Sequence, residues 1–109
     1  MRGQGGEDRA AEFLRAQGLK VLLRNWRCKA GELDLICQDG KTLVFVEVRQ
    51  RSSGTFGGAA ASITAAKRAK LWAAAQIYLQ GVRPTPPCRF DAVCIEGERI
   101  DWWKNCIEG

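Results

Sequence analysis

The residues with the clearest chemical potential lie in two apolar segments on either side of an Asp-Gly dipeptide. The first segment, LDLICQ, contains Asp34, and the second, TLVFVEVRQR, contains Glu47 and Arg49. Asp-Gly between two alternating apolar runs is the strongest short-range signal of a β-hairpin. A hairpin that closes at Asp39-Gly40 places Asp34 and Glu47 on one face as diagonal neighbours, with backbones about 5–8 Å apart.

Two carboxylates in this arrangement can converge on one hard cation, because Mg²⁺ takes oxygen ligands at about 2.0–2.1 Å. The backbone carbonyl of Val48 lies next to Glu47 in the chain and could complete the protein ligands. The alternative is structural: the two acids, with Arg49 and Arg51, could form cross-strand ion pairs on an exposed face. Spacing alone leaves both interpretations open.

The predicted register assigns each hairpin residue to a face. With Asp39-Gly40 as the turn, Leu35 pairs with Val44 and Asp34 pairs with Phe45. Alternate residues of a strand share a face. One face is then wholly apolar, with Leu33, Leu35, Cys37, Val44, Val46 and Val48. The other is apolar near the turn, with Ile36, Leu43 and Phe45, and ionic beyond it, with Glu32, Asp34, Glu47, Arg49 and Arg51.

A third carboxylate belongs to a predicted helix over residues 7–17, which Gly18 would terminate. Glu7 shares a helical stripe with Ala11 and Leu14, so the stripe that packs on the sheet begins with an acid. An inward-facing carboxylate needs a partner, such as a metal ion or an Arg. Alternatively, an acid in the first turn simply complements the helix dipole.

The remaining segments complete an α-β-β-β-α-β-β order. We predict a short strand over residues 20–23, a polar stretch before the hairpin, and a Gly- and Ser-rich loop over residues 51–58. Ser62 or Thr64 can cap an Ala-rich helix that ends near Gln80. The segments RFDAVCI and RIDWW are predicted strands. This order describes a single sheet with helices packed on it.

Composition narrows the classes of function. The 109 residues suit one domain, residues 1–109, and the net charge of +5 suits a polyanionic partner. The absence of histidine excludes Ser-His and Cys-His catalytic pairs and His-ligated metals. Five cysteines without a C-x-x-C pair favour reduced thiols in a cytoplasmic protein over a zinc site. We expect no signal peptide, no membrane span and no membrane partner.

The segment GELDLICQDGKTLVFVEVRQRSS resembles the core motif of the YraN family, small bacterial proteins largely without assigned function. The resemblance extends over nearly the whole chain, through GEDRAAEFL, RNWRCKAGE and RFDAV. The family is similar to PD-(D/E)xK nucleases, including archaeal Holliday-junction resolvases. The resemblance implies an α/β, restriction-endonuclease-like domain, with a mixed β-sheet whose central hairpin is flanked by α-helices.

The resemblance also implies roles for individual residues. Asp34 and Glu47 match the two acids of the motif, and Glu7 matches the helical acid of the resolvases, which together imply a Mg²⁺ or Mn²⁺ site. Arg49 stands where the motif has Lys. It can hold a phosphate but cannot act as a general base, because it stays protonated. Lys67 on the second helix is another source of positive charge, or a surface lysine that only covers apolar surface.

Several further side chains have two interpretations each. Basic residues on and near the hairpin could contact phosphates or be solvated charges: Arg24, Arg27, Lys29 and Arg51. Packing in the core or a dimer interface is favoured over base stacking for Trp26, Trp102 and Trp103. Arg89 and Asp91 are predicted to form a structural ion pair, although the late R-F-D motif leaves a functional role open.

Two function classes follow. The first is a metal-dependent endonuclease, a resolvase-like phosphodiesterase acting on DNA, in which Glu7, Asp34 and Glu47 hold the metal. The second is a catalytically degenerate module that binds nucleic acid, or a subunit of a DNA-processing assembly. The substitution of Arg49 for Lys favours the second class. The resolvase resemblance also implies a homodimer.

Overall fold

The computed structural model describes residues 5–51 and 63–107, and every structural statement below concerns those ranges. The two helices are α1 (Gly5–Ala16) and α2 (Ala65–Leu79). The five strands are β1 (Lys20–Cys28), β2 (Gly31–Asp39), β3 (Thr42–Arg51), β4 (Cys88–Glu96) and β5 (Arg99–Trp103). The predicted order α-β-β-β-α-β-β is confirmed. Of the predicted loop 51–58, all but Arg51 lies outside the described residues, as does Ser62.

The strands form one sheet in the order β1-β2-β3-β4-β5. Strands β3 and β4 pair in parallel, and the other neighbours pair antiparallel. Parallel neighbours need a crossover connection, which here contains α2. The sheet is therefore mixed, with the β2–β3 hairpin near its centre and helices packed on it. The predicted α/β, restriction-endonuclease-like fold class is confirmed.

Each face of the sheet carries its own apolar core. On one face, Ala10, Ala11 and Leu14 of α1 pack against residues such as Val44 and Val93. The other core joins α2 to the sheet and contains Ile36, Leu43, Phe45, Leu71, Ala74 and Phe90. The small residues of both helices allow close approach to the sheet. Burial of each large side chain contributes about 1.5–3 kcal/mol of transfer free energy.

Strand β1 is longer than the sequence pattern suggests. The segment RNWRC, predicted as a polar connection, continues the strand to Cys28. Arg24 pairs with Leu35 and Trp26 pairs with Leu33, so backbone pairing with β2 overrides the polar composition. An edge strand tolerates such residues, because water reaches its outer side.

The hairpin register differs from the predicted one by two residues. Asp39 pairs with Thr42, so the two-residue loop is Gly40-Lys41 rather than Asp39-Gly40, and Leu35 pairs with Val46. Gly40 has a φ of 61° and occupies the first loop position, which is where a type II′ turn needs glycine. A shift of two residues preserves the faces, because side chains alternate with a period of two.

One residue of the hairpin belongs to a different face from the predicted one. Leu33 was expected to share a face with Leu35, but it packs in the α2-side core while Leu35 packs under α1. Between the β1 partners of these two residues lies Asn25, whose φ of 54° is left-handed. Leu35 is also the last β2 residue paired with β3. The regular alternation of β2 side chains between the two faces of the sheet is therefore interrupted at Asp34.

The helix ends agree with the predicted signals to within two residues. Gly18 follows α1 with a φ of 100°, and its N–H donates to the Arg15 carbonyl at 3.0 Å. The Thr64 hydroxyl caps α2 by accepting the Lys67 N–H at 3.1 Å. All five cysteines are free thiols, as predicted, and Cys37 and Cys94 are buried. Neither described helix has the length and apolarity needed to cross a membrane.

Candidate metal and nucleic-acid site

Asp34 lies where the pairing of β2 with β3 ends. One of its carboxylate oxygens accepts the backbone N–H of Val48 at 2.9 Å. This bond satisfies a β3 donor that no longer has a main-chain partner on β2, because the last pair of the ladder is Leu35 and Val46. The next residue along each strand is Asp34 on β2 and Glu47 on β3. The two acids, predicted as diagonal neighbours, therefore occupy directly opposite positions just beyond the last β2–β3 pair.

The two carboxylates influence one another. Burial, the negative charge of Glu47 and, to a smaller extent, the charge of Glu7 together raise the pKa of Asp34 from 3.8 to about 7. The hydrogen bond from Val48 acts in the opposite direction but is outweighed. A carboxyl group in a cleft whose pKa is raised by burial and by neighbouring acids is a candidate functional group.

Positive charge reaches Glu47 from two elements. Lys67 of α2 places its Nζ 3.0 Å from Glu47 Oε2, and an Arg49 guanidinium nitrogen lies 3.7 Å from the same oxygen. The Glu47 side chain is only 6% exposed, so its charge requires this compensation. Thr64 fixes the first turn of α2 and with it the position of Lys67. Lys67 therefore contacts the predicted site rather than only covering apolar surface.

Glu7 contributes an acid from the start of α1. Its Oε1 atom is buried and has no hydrogen-bond partner among the described residues. Buried polar atoms are seldom left unpaired, because the lost hydration costs about 1–3 kcal/mol. The Glu7 charge is also close enough to raise the pKa of Asp34. Glu7 does not line the cleft beside Asp34 and Glu47, so its membership of the acid group stays a prediction.

A cleft of about 400 Å³ opens beside the acid pair. Its sheet wall carries Glu32, Asp34 and Glu47, and its α2 wall carries Lys67 and Lys70. The two walls therefore have opposite charge. Sequence reasoning missed Lys70, although its spacing of three residues from Lys67 would place both on one helical face.

The donors fit a hard divalent cation. No three Asp, Glu, Cys or His side chains within residues 5–51 and 63–107 are arranged to share one metal ion. Mg²⁺, however, is commonly held by one or two protein carboxylates, and water and substrate phosphate complete its shell. Asp34 and Glu47 meet that requirement, whereas Glu7 is not grouped with them as a third ligand in the described residues. A role for the Val48 carbonyl remains a prediction, as do the assignments of Glu7, Asp34 and Glu47 as ligands.

The other basic candidates have different surroundings from Lys67 and Arg49. The Arg24 guanidinium contacts Asp8 of α1, and Arg27 lies 3.7 Å from Glu32 across the β1–β2 ladder. Lys29 is exposed in the short connection between these strands. The backbone of Arg51 pairs with Glu96, and its side chain lies outside the described residues. Arg24 and Arg27 thus pair with Asp8 and Glu32 rather than joining Lys67 at Glu47.

The R-F-D motif on β4, Arg89 to Asp91, forms a network of hydrogen bonds and ion pairs. Asp91 is fully buried and accepts the Trp102 indole N–H at 3.0 Å and the Asn105 backbone N–H at 2.8 Å. Arg89 donates to Asp91 at 3.0 Å and to Asp39 at 3.1 Å. The predicted structural ion pair is confirmed, and it ties β4 to β5 and to the end of β2.

The tryptophans named in the sequence differ in exposure. Trp26 packs edge-on against Tyr78, and Trp102 packs edge-on against Phe13, so core packing is confirmed for both. Trp103, in contrast, is 44% exposed at the edge strand β5. Core packing is therefore wrong for Trp103, and the alternative of a dimer interface stays a prediction.

Comparison with known proteins supports one family. Residues 6–95 match the family model described as "Uncharacterised protein family UPF0102". The chain is similar to the UPF0102 protein of Janthinobacterium sp. (strain Marseille), 58% identical over 97% of this chain and 86% of that protein. The UPF0102 protein of Dechloromonas aromatica is 59% identical over 97% of this chain and 88% of that protein. UPF0102 protein NE0711 of Nitrosomonas europaea is 53% identical over 98% of this chain and 93% of that protein.

Proposed function

This chain belongs to the uncharacterised protein family UPF0102, the YraN family, and from its site we propose that it is a metal-dependent phosphodiesterase that cleaves DNA. The observation that supports this function best is the grouping of Asp34, Glu47 and Lys67 in one cleft. Two acids that can hold a cation, with positive charge beside them, suit metal-assisted cleavage of a phosphodiester. The net charge of +5 suits a polyanionic substrate.

The acids would hold Mg²⁺ or Mn²⁺, which when bound polarises the scissile phosphate and acidifies a water molecule. Asp34 and Glu47 are the proposed ligands, and Glu7 is the proposed further acceptor from α1. The Val48 N–H fixes the Asp34 carboxylate at 2.9 Å, so the ligand is oriented before the cation binds. The raised pKa of Asp34 means that cation binding near neutral pH displaces a proton.

Lys67 and Arg49 have a separate role. Both lie within 3.7 Å of a Glu47 oxygen and provide positive charge next to the proposed cation. Preorganised positive charge of this kind stabilises the negative charge that develops on phosphoryl oxygens. Arg49 remains protonated and does not take a proton from water. Lys67 therefore provides from α2 the lysine that the family motif would place on β3.

The direct test is cleavage of labelled single-stranded, duplex and four-way-junction DNA in EDTA, Mg²⁺ or Mn²⁺. We expect products from the wild type with metal and none from Asp34→Asn. The control is Glu98→Gln, which removes an exposed carboxylate in the β4–β5 turn. Equal cleavage by wild type and Asp34→Asn would show that the acid pair is not the catalytic centre.

A binding module is the second candidate, because Glu47 is already neutralised by Lys67 and Arg49 without a cation. This function predicts salt-sensitive DNA binding and no products with any metal. In that case Lys67→Met would weaken binding more than Asp34→Asn does. The homodimer implied by the resolvase resemblance remains a prediction, to be checked by measuring the solution mass.

A further inference from the structure

Trp103 differs from the other tryptophans in its surroundings. All four tryptophans lie within the described ranges, and Trp26, Trp72 and Trp102 are partly buried, whereas Trp103 is 44% exposed. Trp102 packs against the α1-side core and donates its indole N–H to Asp91. Because successive strand residues face opposite sides, Trp103 projects from the α2 side of the sheet.

The strand register places Trp103 in line with the acid pair. Glu47 pairs with Ala92 across the β3–β4 ladder, and Ala92 pairs with Trp103 across the β4–β5 ladder. Directly paired residues share a face, so Glu47 and Trp103 stand on the same side of the sheet with Ala92 between them in the pairing. Cys106 packs over Ala92 on this side, so a strand that reaches both residues would cross above Cys106. Two interstrand spacings separate their backbones by about 10 Å.

Positive charge lies beside this row. Arg49 follows Glu47 by two residues on β3 and therefore shares its face, in the adjacent row that contains Cys94 and Asp101. The Asp101 carboxylate is compensated by Arg99 at 3.1 Å. The α2 side of the sheet thus presents Lys67, Arg49 and the exposed Trp103 ring around the acid pair. A cationic path next to an exposed aromatic ring is the pattern of single-strand recognition.

We propose that Trp103 is a stacking platform for an unpaired base of single-stranded DNA whose backbone lies at the Asp34–Glu47 site. This inference rests on the proposed function and names its preferred substrate class. The rings of Trp103 are available only to a base that has left its own stack, so a paired duplex cannot use them. Trp103 is a positioning and specificity residue, and it takes no part in bond cleavage.

Binding measured in EDTA separates this inference from catalysis. Fluorescence anisotropy of a labelled single-stranded oligonucleotide and its matched blunt duplex would be compared for wild type, Trp103→Ala and Trp103→Phe. We expect Trp103→Ala to weaken single-strand binding by about tenfold and to leave duplex binding unchanged. Trp103→Phe should restore most of the affinity, because phenylalanine also stacks. The control is Leu22→Ala, which removes an exposed apolar side chain from the opposite edge strand.

The outcomes are distinct. Equal single-strand affinity for wild type and Trp103→Ala overturns the inference, as does an equal loss for single strand and duplex. A concentration-dependent change in solution mass on Trp103→Ala, without a change in DNA affinity, would assign Trp103 to a protein interface instead. If the wild type binds single strands through Trp103 but cleaves no DNA with Mg²⁺ or Mn²⁺, the stacking role stands and the phosphodiesterase proposal fails.

Discussion

The Asp34 carboxylate accepts the Val48 backbone N–H at 2.9 Å where strands β2 and β3 stop pairing. A side chain here takes the place of a main-chain acceptor. The same side chain lies close enough to Glu47 for a side-chain hydrogen bond to contribute to its raised pKa. The end of the ladder and the position of the acid pair are therefore one structural feature.

Asp34 should make stability fall as pH rises. Its pKa is 3.8 in the unfolded chain and about 7 in the folded protein, so between these values the folded state binds more protons. Stability decreases with pH wherever the folded state binds the extra proton. The contribution of Asp34 is therefore fully present below about pH 4 and is lost as pH rises to about 7. Urea unfolding of wild type and Asp34→Asn across this window should show a shallower pH dependence in the variant.

Divalent cations should stabilise the wild type. Binding to the folded state alone raises the free energy of unfolding by about 2.7 kcal/mol at a concentration 100 times Kd. Because the ion displaces the Asp34 proton, affinity should rise about tenfold per pH unit below pH 7 and level off above it. Thermal melts with Mg²⁺ and Mn²⁺ test this. Asp34→Asn and Glu47→Gln should lose the shift, and Glu98→Gln should keep it.

Lys67→Met should reduce cleavage more than it reduces stability. Loss of a preorganised charge at a reacting centre lowers turnover by about 100-fold or more. The Lys67 side chain is 43% exposed, so solvent screens part of its attraction to Glu47. We therefore expect a stability loss below the roughly 3–5 kcal/mol of breaking a fully buried pair. Single-turnover cleavage and urea unfolding measure the two effects.

The matched control for Lys67 is Lys41→Met, which removes an exposed lysine in the hairpin loop. Comparable losses of cleavage in both variants would mean that only overall charge matters. Lys67→Arg should retain more activity than Lys67→Met, because it keeps the charge while altering the geometry.

Asp91→Ala should act through the fold rather than through the site. It leaves Arg89 and the Trp102 indole without their acceptor, and the Arg89 side chain is only 19% exposed. Removing one partner of a buried pair costs about 3–5 kcal/mol, a large share of the usual stability of a domain. Asp91→Asn keeps an acceptor and should lose less. If Asp91→Asn were as stable as wild type yet could not cleave DNA, Asp91 would have a direct functional role.

Much of the hairpin could be predicted because strand alternation tolerates an error of two residues. The predicted turn at Asp39-Gly40 and the observed loop at Gly40-Lys41 both contain the same glycine, at different loop positions. Either choice places Asp34 and Glu47 on one face. Apart from Leu33, the faces were therefore predictable while the register was not.

Other features depend on tertiary contacts. The change of facing at Leu33 accompanies the left-handed backbone of Asn25 on the neighbouring strand, which no periodicity reveals. The contact of Lys67 with Glu47 depends on how α2 is rotated over the sheet, and packing of Leu71 and Ala74 sets that rotation. Trp103 is exposed because β5 is an edge strand, and strand order is not readable from a local pattern.

The parallel pairing of β3 with β4 has a consequence for how the protein folds. A two-residue loop brings Asp34 and Glu47 together, whereas Lys67 reaches Glu47 only when the long crossover has closed. Short loops lose less chain entropy on closure than long ones. Pairing of the two carboxylates therefore needs only a local loop closure, whereas compensation of the Glu47 charge needs a long-range one. Docking of α2 both brings Lys67 to Glu47 and contributes to the burial that raises the pKa of Asp34.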